Sequence, residues 1–363
     1  MGTDVSIVIP AYNLVEYIQP CLYSIANQTY TDFEVIFVND GSTDGTGAIL
    51  DAYAVNDSRV QVIHQPNGGV SAARNAGLRA AAGKFVLFFD GDDFFEPETV
   101  AELLARIRAT NADALVYGYR RFLDGAVTDE CPPVFAEGLY EGDAINTSIL
   151  PHFVGFSNDA VNRWLTGEPN ALYVENPALW RCMARIDVIK RNNLEFDTNL
   201  KIGEDTIFIT DLLSCCERLF VLHKCYYYLV SRKTSAIALY EGNAAAKLDG
   251  KRRLLAARNE LTARVKRRGG PDIAPHWQGT VVMSALELAF LFAKRKPFRE
   301  SYRAFICYAR SDGARAAAGA LTLKMKPSAR AVPLLMLKHG WYPLLFMCAW
   351  ALNVLHYEFN RLN

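Results

Sequence analysis

The first ninety residues alternate between short apolar runs and segments with helical spacing. The β-branched run Val5–Pro10 predicts a strand, and the spacing of apolar residues over Val15–Gln28 predicts a helix. The alternation continues with strands predicted at Phe33–Asn39, Val60–His64 and Lys84–Phe89, and helices predicted at Asp44–Val55 and Val70–Ala82. This pattern is typical of βαβ units, so we predict an α/β fold with a mostly parallel sheet and helices on both faces.

Polar clusters follow four of these predicted strands. They are Pro10–Asn13, Asp40–Asp44, Gln65–Gly69 and Asp90–Asp93. In open α/β sheets, ligands bind outside the carboxyl ends of the strands. We therefore expect the four clusters to converge on one edge of the sheet.

The pattern weakens between Arg121 and about Glu175, where we expect long loops and short strands that shape an acceptor cleft. Helices are predicted at Pro177–Arg191 and Glu204–Glu217, and a strand at Arg218–Val230. Beyond Asn243 the chain is predicted to be wholly helical.

This pattern divides the chain into two predicted regions. A catalytic domain of residues 1–241 has a nucleotide-sugar half, about 1–120, and an acceptor half, about 121–241. A helical region of residues 242–363 follows. The formal net charge is zero, yet Lys251–Gly340 holds 19 basic and 5 acidic residues. That basic excess indicates a nucleic acid or an anionic membrane surface as a partner of the helical region.

The tail of the chain decides between these partners. Its apolar runs, Val332–Leu337 and Trp341–Leu355, are each shorter than the roughly 20 residues that a membrane-spanning helix needs. Basic helices followed by interface-type aromatics favour in-plane, monotopic attachment to anionic lipids. The alternatives are packing on the protein's own core or on a second subunit in a homo-oligomer. Nucleic acid is excluded because no aromatic-interleaved basic sheet or recognition helix is predicted.

The cysteines indicate the compartment. The eight cysteines include no CxxC pair, and no signal-peptide pattern opens the chain. We expect a reducing environment with cysteines as small core residues. The predicted location is cytoplasmic, peripheral or monotopic on the inner face of the cell membrane.

The segment Phe88–Phe95 carries three carboxylates directly after a predicted buried strand: Asp90, Asp92 and Asp93. Crowded like charges are unfavourable unless a cation or a substrate neutralises them. Oxygen ligands at this spacing suit Mg²⁺ or Mn²⁺, which bind one or two carboxylates together with substrate phosphates. The segment therefore predicts a nucleotide-diphosphate site.

Three further motifs lie at the predicted strand ends. In Ile9-Pro10-Ala11-Tyr12-Asn13, Tyr12 is placed to stack on a base, with ordinary packing as the alternative. Asp40 lies too early to cap the next helix and is expected to be free to bind a base or ribose. In Asn67–Gly77, glycines permit close backbone approach, and Arg74 is placed to reach a diphosphate, with a surface salt bridge as the alternative.

The order of these motifs resembles that of the family 2 glycosyltransferases with a GT-A fold, of the bacterial polysaccharide and lipid-linked glycan type. The resemblance covers about residues 4–230. It is carried by Ser6-Ile7-Val8-Ile9-Pro10-Ala11-Tyr12-Asn13, Val38-Asn39-Asp40-Gly41-Ser42-Thr43-Asp44, Asn67-Gly68-Gly69 with Arg74-Asn75, and Asp90-Gly91-Asp92-Asp93. A later segment, Lys201-Ile202-Gly203-Glu204-Asp205-Thr206-Ile207-Phe208, looks like the family's carboxylate pair, preceded by Trp180 and Phe196-Asp197.

The resemblance implies a role for each matching residue. The residues implied to hold the nucleotide sugar are Pro10, Tyr12, Asn13, Asp40, Asn67, Arg74, Asp90 and Gly91. Asp92, with Asp90, would hold the divalent metal. Asp205 would be the general base, with Glu204 beside it. Two acids at a helix N-terminus are also stabilised by the helix dipole alone, which is the structural alternative for this pair.

The expected function is inverting transfer of a sugar from a nucleotide sugar, either a UDP-hexose or a UDP-N-acetylhexosamine, to a glycan hydroxyl. The predicted membrane attachment favours a polyprenyl-diphosphate-linked acceptor in envelope polysaccharide or glycoconjugate assembly. A nucleotidyltransferase is the enzymatic alternative, but Pro10–Val15 lacks the basic, glycine-rich phosphate loop expected there. A non-catalytic membrane scaffold of the same fold is the third reading.

Overall fold

The computed structural model describes residues 3–231, 243–323 and 330–354 of the 363-residue chain. The chain divides into two compact units: unit 1 is Met1–Leu150 with Glu175–Ser235, and unit 2 is Pro151–Val174 with Ala236–Asn363. The sequence pattern assigned residues 151–174 to the catalytic domain, whereas they belong to unit 2. The predicted boundary between residues 241 and 242 lies outside the described residues.

A ten-stranded mixed sheet organises unit 1. Its strands are β1 (Val5–Ala11), β2 (Phe33–Asp40), β3 (Val60–Gln65), β4 (Phe85–Phe88), β5 (Phe94–Phe95), β6 (Ala114–Leu123), β7 (Ala126–Cys131), β8 (Gly138–Glu141), β9 (Cys182–Arg185) and β10 (Arg218–Val230). The strand order is β3-β2-β1-β4-β9-β6-β10-β5, with β7 paired to β6 and β8 paired to β10. The β3-β2, β2-β1, β1-β4 and β6-β10 pairs are parallel. The predicted α/β class is confirmed.

The helices of the first half follow the strands as the alternation predicts. Residues up to 213 form α1 (Ile18–Ala26), α2 (Thr46–Asn56), α3 (Val70–Ala80), α4 (Thr99–Thr110), α5 (Leu150–Val154), α6 (Asn158–Leu165), α7 (Ile186–Arg191) and α8 (Glu204–Leu213). The predicted strands and helices up to residue 89 are confirmed to within a few residues. Helices α5 and α6 fall in the stretch where only loops and short strands are predicted.

The helix predicted over Pro177–Arg191 is wrong in its first half. Leu179–Arg181 forms a 3₁₀ turn, and β9 then enters the sheet between β4 and β6, antiparallel to both. Cys182, Met183 and Ala184 are all buried. A short, fully buried apolar run has no periodicity that separates strand from helix, so the pattern could not distinguish them.

The central strands of unit 1 are buried on both faces, which explains their continuous apolar sequence. In β1, Val5, Ile7, Val8 and Ile9 have no exposed surface. Helix α3 packs closely on this strand because it has a glycine at position 77. A Cβ at Gly77 would lie 2.3 Å from Val8 Cγ1. This close packing fixes the start of α3, and with it Arg74, above the end of the sheet.

Unit 2 is helical, as predicted. Its described helices after residue 243 are α9 (Ala244–Arg267), α10 (Ala274–Ala293), α11 (Phe298–Ala309), α12 (Asp312–Gly319), α13 (Ala331–Lys338) and α14 (Tyr342–Val354). Over residues 3–231, 243–323 and 330–354, no helix is both long enough and apolar enough to cross a membrane. The end of the predicted apolar tail, from residue 355, lies outside the described residues.

We expect Gly77→Ala to destabilise the protein by about 1–3 kcal/mol, because the added methyl group overpacks the contact of α3 with β1. The measurement is urea-induced unfolding followed by circular dichroism. The control is Gly319→Ala, where nothing lies within 4 Å of the added Cβ and the free energy of unfolding should be unchanged or slightly higher. Equal unfolding midpoints for Gly77→Ala and the wild type would contradict this packing.

Candidate active site

The loops after β1 and β2 are joined by hydrogen bonds at the carboxyl edge of the sheet. The Asn13 backbone N donates to Ser42 Oγ at 3.1 Å, and the Thr43 backbone N donates to Asn13 Oδ1 at 2.9 Å. Asn13 adopts a left-handed conformation with φ 52°, which asparagine tolerates better than most residues. Tyr12, beside it, is 49% exposed, so its ring is available to a ligand.

Asp40, the last residue of β2, holds the loop that precedes α3. Its Oδ1 accepts hydrogen bonds from Gln65 Nε2 at 2.7 Å and from the Gly68 N at 2.9 Å. Its Oδ2 accepts one from the Gly69 N at 2.8 Å. The expectation of a free carboxylate is therefore wrong. A carboxylate offers about four acceptor positions, so one position on Oδ2 is left for a ligand.

The acidic loop after β4 lies against the end of β1. A Cβ at Gly91 would be 2.9 Å from Leu14 Cδ1 and 3.3 Å from the Pro10 carbonyl oxygen. The loops after β2 and β3 are also close to each other, because a Cβ at Gly41 would lie 2.7 Å from the backbone N of Asn67. The predicted convergence of the four polar clusters is confirmed.

Asp93 anchors the acidic loop from inside. It is 3% exposed, and its two oxygens accept hydrogen bonds from Tyr227 Oη at 2.8 Å and from the Val230 N at 2.7 Å. The same Tyr227 oxygen accepts a hydrogen bond from the Asp90 N at 3.1 Å. Burial, with the nearby Asp90 charge, raises the pKa of Asp93 to about 8.

The acidic loop has the ligands that a hard divalent cation requires. Asp90, Asp92 and Asp93 each offer a carboxylate oxygen, and these atoms lie within 4.8 Å of one another. Asp93 is 3% exposed and both its oxygens accept hydrogen bonds within the protein, so the half-buried Asp90 and Asp92 are the more accessible carboxylates of the three. One or two carboxylates, completed by substrate phosphates and water, are typical of Mg²⁺ and Mn²⁺ sites. The residues present therefore fit such an ion.

Arg74 connects the acidic loop to the start of α8. Its Nη2 donates to Asp90 Oδ1 at 3.1 Å. Its Nη1 donates to Glu204 Oε1 at 3.1 Å and to Asp205 Oδ1 at 2.6 Å. The Arg74 side chain is only 4% exposed, so the alternative of a surface salt bridge is wrong.

The positive charge of Arg74 is surrounded by the carboxylates of Asp90, Glu204 and Asp205. Burial alone would lower the pKa of the Arg74 guanidinium, but the three carboxylates around it raise it above its ordinary value. Burial raises the pKa of the Asp205 carboxyl to about 7, against the opposing effect of Arg74. The neighbouring Glu204 and Asp90 charges add to that rise. Asp205 is thus poised to exchange a proton near neutral pH.

Side-chain packing fixes the position of α8. Asn75 Nδ2 donates to the Phe196 carbonyl at 2.9 Å, and the Phe196 N donates to Asn75 Oδ1 at 2.9 Å. The Phe196 ring stacks on Phe208 of α8, with centroids 3.9 Å apart, and both rings meet the edge of Phe88. Helix α8 is therefore held against the end of β4, where the acidic loop begins.

Two positioning residues were not found from the sequence. Asn75 was noted only as part of a motif, and its clamp on Phe196 depends on a partner 121 residues away. Tyr227 lies in an aromatic strand with no motif, and its ring stacks on Trp180 at 4.5 Å. In the sequence, the order of Trp180, Phe196 and the carboxylate pair was the available signal for the part of the site around α8. That order does not identify Tyr227.

Comparison with known proteins finds a family resemblance. Residues 6–156 match the sequence profile described as Glycosyl transferase family 2. This part of the chain is therefore similar to the family 2 glycosyltransferases. The match ends at residue 156, in the loop after α5, so it covers the acidic loop but neither Glu204 nor Asp205.

Two curated relatives extend this likeness beyond residue 156. The chain is 32% identical over 223 residues to the uncharacterized glycosyltransferase EpsJ of Bacillus subtilis, an alignment that covers 61% of this chain and 60% of EpsJ. It is 30% identical over 231 residues to the glycosyltransferase GlyA of Streptococcus pneumoniae, covering 64% of this chain and 31% of GlyA. The alignments thus span about 60% of the first relative and a third of the second.

Among solved structures, this chain is similar to TarS residues 1–349 of Staphylococcus aureus, crystallised in complex with UDP-GlcNAc. The TM-score is 0.64 at 20% sequence identity, covering 98% of this chain and 93% of that one. At this level of identity the likeness shows the fold, and it supports the GT-A assignment made from the motif order.

We expect Tyr227→Phe to lower the free energy of unfolding by about 1–3 kcal/mol, because it leaves the Asp90 N and Asp93 Oδ2 buried without their partner. Thermal or urea unfolding measures the change. The matched control is Tyr228→Phe on the same strand, whose hydroxyl bonds the half-buried Glu96 and which should cost less. If the two variants lose the same stability, Tyr227 does not anchor the acidic loop.

Proposed function

We propose that the protein is an inverting, metal-dependent glycosyltransferase that moves a sugar from a nucleotide sugar to a hydroxyl of a glycan. The observation that carries the proposal is the Arg74 contact, which places the acidic loop and the carboxylate pair of α8 in one site. A cation site for a leaving diphosphate and a base for an attacking hydroxyl are the two groups that such a displacement requires.

The donor nucleotide would lie along the loops that follow β1, β2 and β3. Tyr12 presents an exposed ring for stacking on the base, and the remaining acceptor position of Asp40 suits a base N–H or a ribose hydroxyl. Pro10, Asn13 and Asn67 complete this surface. The family and the UDP-GlcNAc complex of TarS favour UDP-hexose or UDP-N-acetylhexosamine as the donor.

The metal ligands would be Asp92 and Asp90, with the backbone at Gly91 close to the bound diphosphate. A Mg²⁺ or Mn²⁺ ion bound there supplies Lewis-acid stabilisation of negative charge on the leaving group. Arg74 keeps Asp90 in place while its own positive charge limits the repulsion between the two groups of carboxylates. The family resemblance implies that Arg74 also helps to hold the nucleotide sugar.

Asp205 would act as the general base. Its Oδ1 is bound to Arg74, so the acceptor hydroxyl would meet Oδ2 and transfer its proton there. The hydroxyl oxygen then attacks the anomeric carbon, the bond from that carbon to the diphosphate oxygen breaks, and the configuration inverts. Glu204 shares Arg74 Nη1 with Asp205, and its charge helps to keep the pKa of the base high.

The alternatives have less support. A nucleotidyltransferase would be expected to carry a basic, glycine-rich phosphate loop after β1, and Pro10–Val15 has neither Lys, Arg nor Gly. A non-catalytic scaffold would not need the carboxylate pair of α8 to contact the same arginine as a loop that can hold a cation.

The acceptor proposal depends on a surface of unit 2. Helix α14 buries Tyr342, Leu345, Phe346 and Ala349, and exposes an apolar stripe on its other side. The stripe consists of Trp341, Leu344, Met347, Trp350 and Val354, which are 43–57% exposed. Phe298, also exposed, packs its ring 5.0 Å from Phe346, which places the basic segment Lys294–Lys296 beside α14.

Exposed apolar and aromatic side chains next to basic ones suit an anionic lipid surface. We therefore propose that α14 attaches the enzyme to the inner face of the cell membrane. Attachment brings a polyprenyl-diphosphate-linked glycan within reach as the acceptor, in envelope polysaccharide or glycoconjugate assembly.

The catalytic proposal predicts that Asp205→Asn lowers turnover by about 10²–10⁴-fold while UDP binding is retained, because only the base is removed. Turnover is measured as nucleotide release from UDP- and GDP-sugars with Mn²⁺ or Mg²⁺ and lipid-linked acceptors, and UDP binding by calorimetry. For the wild type, kcat/KM should rise about tenfold per pH unit below pH 7 and level off above it, because the base acts deprotonated.

The control for this variant is Glu195→Gln, an exposed acid before α8 that should keep wild-type turnover. Unchanged turnover of Asp205→Asn would contradict the assignment of the base. Absence of nucleotide release from every donor would contradict the proposed activity.

The membrane proposal predicts that the protein sediments with phosphatidylglycerol vesicles and less with phosphatidylcholine vesicles. Trp350→Glu should weaken binding about tenfold or more, because it removes apolar burial and adds a repelled charge. The control is Val55→Glu, an 85% exposed valine of unit 1. The proposal is wrong if both variants sediment like the wild type, or if Trp350→Glu instead dissociates a lipid-free dimer in light scattering.

A further inference from the structure

Unit 2 contains a cavity of about 760 Å³ that the proposed reaction does not use. One wall comes from Phe156–Tyr173, which belongs to the segment that leaves unit 1 at Leu150 and returns to it at Glu175. The other wall comes from α9 and α10, with Arg330 at the rim. The volume is within the roughly 300–1,000 Å³ of sites that bind small molecules.

The first wall is fastened to the helices of unit 2 and is not a loose loop. The Phe156 N donates to Thr280 Oγ1 at 2.9 Å, and Asn162 Nδ2 donates to the Thr322 carbonyl at 2.9 Å. A Cβ at Gly279 would lie 2.3 Å from the Ser157 carbonyl oxygen, so this glycine permits the close approach of the wall. The cavity is therefore preformed.

The helical wall presents a fixed set of polar groups. Lys251 Nζ lies 2.8 Å from Glu287 Oε2 and donates to Ser284 Oγ at 3.2 Å. Lys247 binds the other oxygen of Glu287 at 3.4 Å. Glu287 is 36% exposed, so its carboxylate remains accessible from the cavity.

The opposite wall presents aromatic surface. The Arg330 guanidinium lies over the Trp164 ring at 5.4 Å from its centroid, and Tyr173 is 46% exposed. Stacking on Trp164 holds the guanidinium of Arg330 at the rim of the cavity. Trp164 itself is 6% exposed, so the ring of Tyr173 supplies the aromatic surface of the cavity that also holds an ammonium and a carboxylate.

These groups favour one class of ligand. Hydroxyl groups donate to a carboxylate and accept from an ammonium, so a ring with several hydroxyls can satisfy Glu287 and Lys251 together. Its C–H face can pack on the exposed ring of Tyr173. A phosphate only accepts hydrogen bonds and would meet the Glu287 charge, and a lipid chain would desolvate the ion pair without replacing its hydrogen bonds.

We propose that this cavity is a saccharide-binding site, which recognises a sugar of the acceptor glycan other than the one that receives the transferred sugar. The inference rests on the proposed function for the source of the saccharide, but its test is a binding measurement that needs neither donor nor metal. The segment Pro151–Val174 then has a functional role, because it supplies the aromatic wall of this site.

The experiment uses the full chain without nucleotide or metal. An array of bacterial glycans identifies bound structures, and saturation-transfer NMR measures the affinity of the best bound oligosaccharide. We expect binding that 1 mM UDP with Mn²⁺ does not displace. Tyr173→Ala and Lys251→Gln should each weaken binding at least tenfold, because one removes aromatic surface and the other the central ammonium.

The matched control is Arg253→Gln, on the same helix as Lys251 but exposed and bonded to Asp249, which should bind like the wild type. Thermal unfolding verifies that each variant is folded. If Lys251→Gln proves unstable, Tyr173→Ala tests the site alone, because this exposed residue lies outside the helices.

Three outcomes overturn the proposal: no glycan on the array binds, UDP displaces the glycan, or Tyr173→Ala binds as well as the wild type. Failure of the proposed function gives a different result from failure of the cavity proposal. If no nucleotide sugar is turned over but the glycan still binds through Tyr173 and Lys251, the cavity proposal stands and the enzymatic one does not.

Discussion

The contacts of one buried arginine hold the two groups of carboxylates in the candidate site of unit 1 together. Arg74 binds Asp90, Glu204 and Asp205, and the last two lie more than a hundred residues from Asp90 in the sequence. Carboxylates this close and this shielded from water would repel one another strongly without a counter-charge. A permanent internal cation removes that repulsion before any metal or substrate binds. The close packing of α3 on β1 and the Asn75 clamp both serve to hold this cation in place.

The acidic loop consequently performs two tasks with neighbouring residues. Asp93 points inward, where a tyrosine hydroxyl and a backbone amide fix it. Asp90 and Asp92 lie on the accessible side of the same loop, where ion binding is possible. Because Asp93 fixes the backbone of the loop, the loop needs little rearrangement when an ion binds, which lowers the entropic cost of forming the site.

The sequence was sufficient for features that depend on local pattern and was insufficient for those that depend on distant partners. Alternating strands and helices predicted the sheet up to residue 89, and the polar strand ends predicted where the site lies. The strand β9 was missed because its apolar run is short and buried. The engagement of Asp40 and the burial of Arg74 could not be predicted, because both depend on residues that only the folded chain brings together.

The route of the chain between the two units has a consequence for how this protein could be shortened or divided. The polypeptide leaves unit 1 after Leu150 and returns to it at Glu175, and the described helices from Ala244 onward again belong to unit 2, so neither unit is a continuous piece of sequence. A chain shortened before Ala244 would still carry Val161 and Trp164, which are buried and belong to the helical unit. Those side chains would then be exposed and would favour aggregation. Cutting the chain at a single point therefore does not separate the helical unit from unit 1, because unit 2 is built from two stretches of sequence.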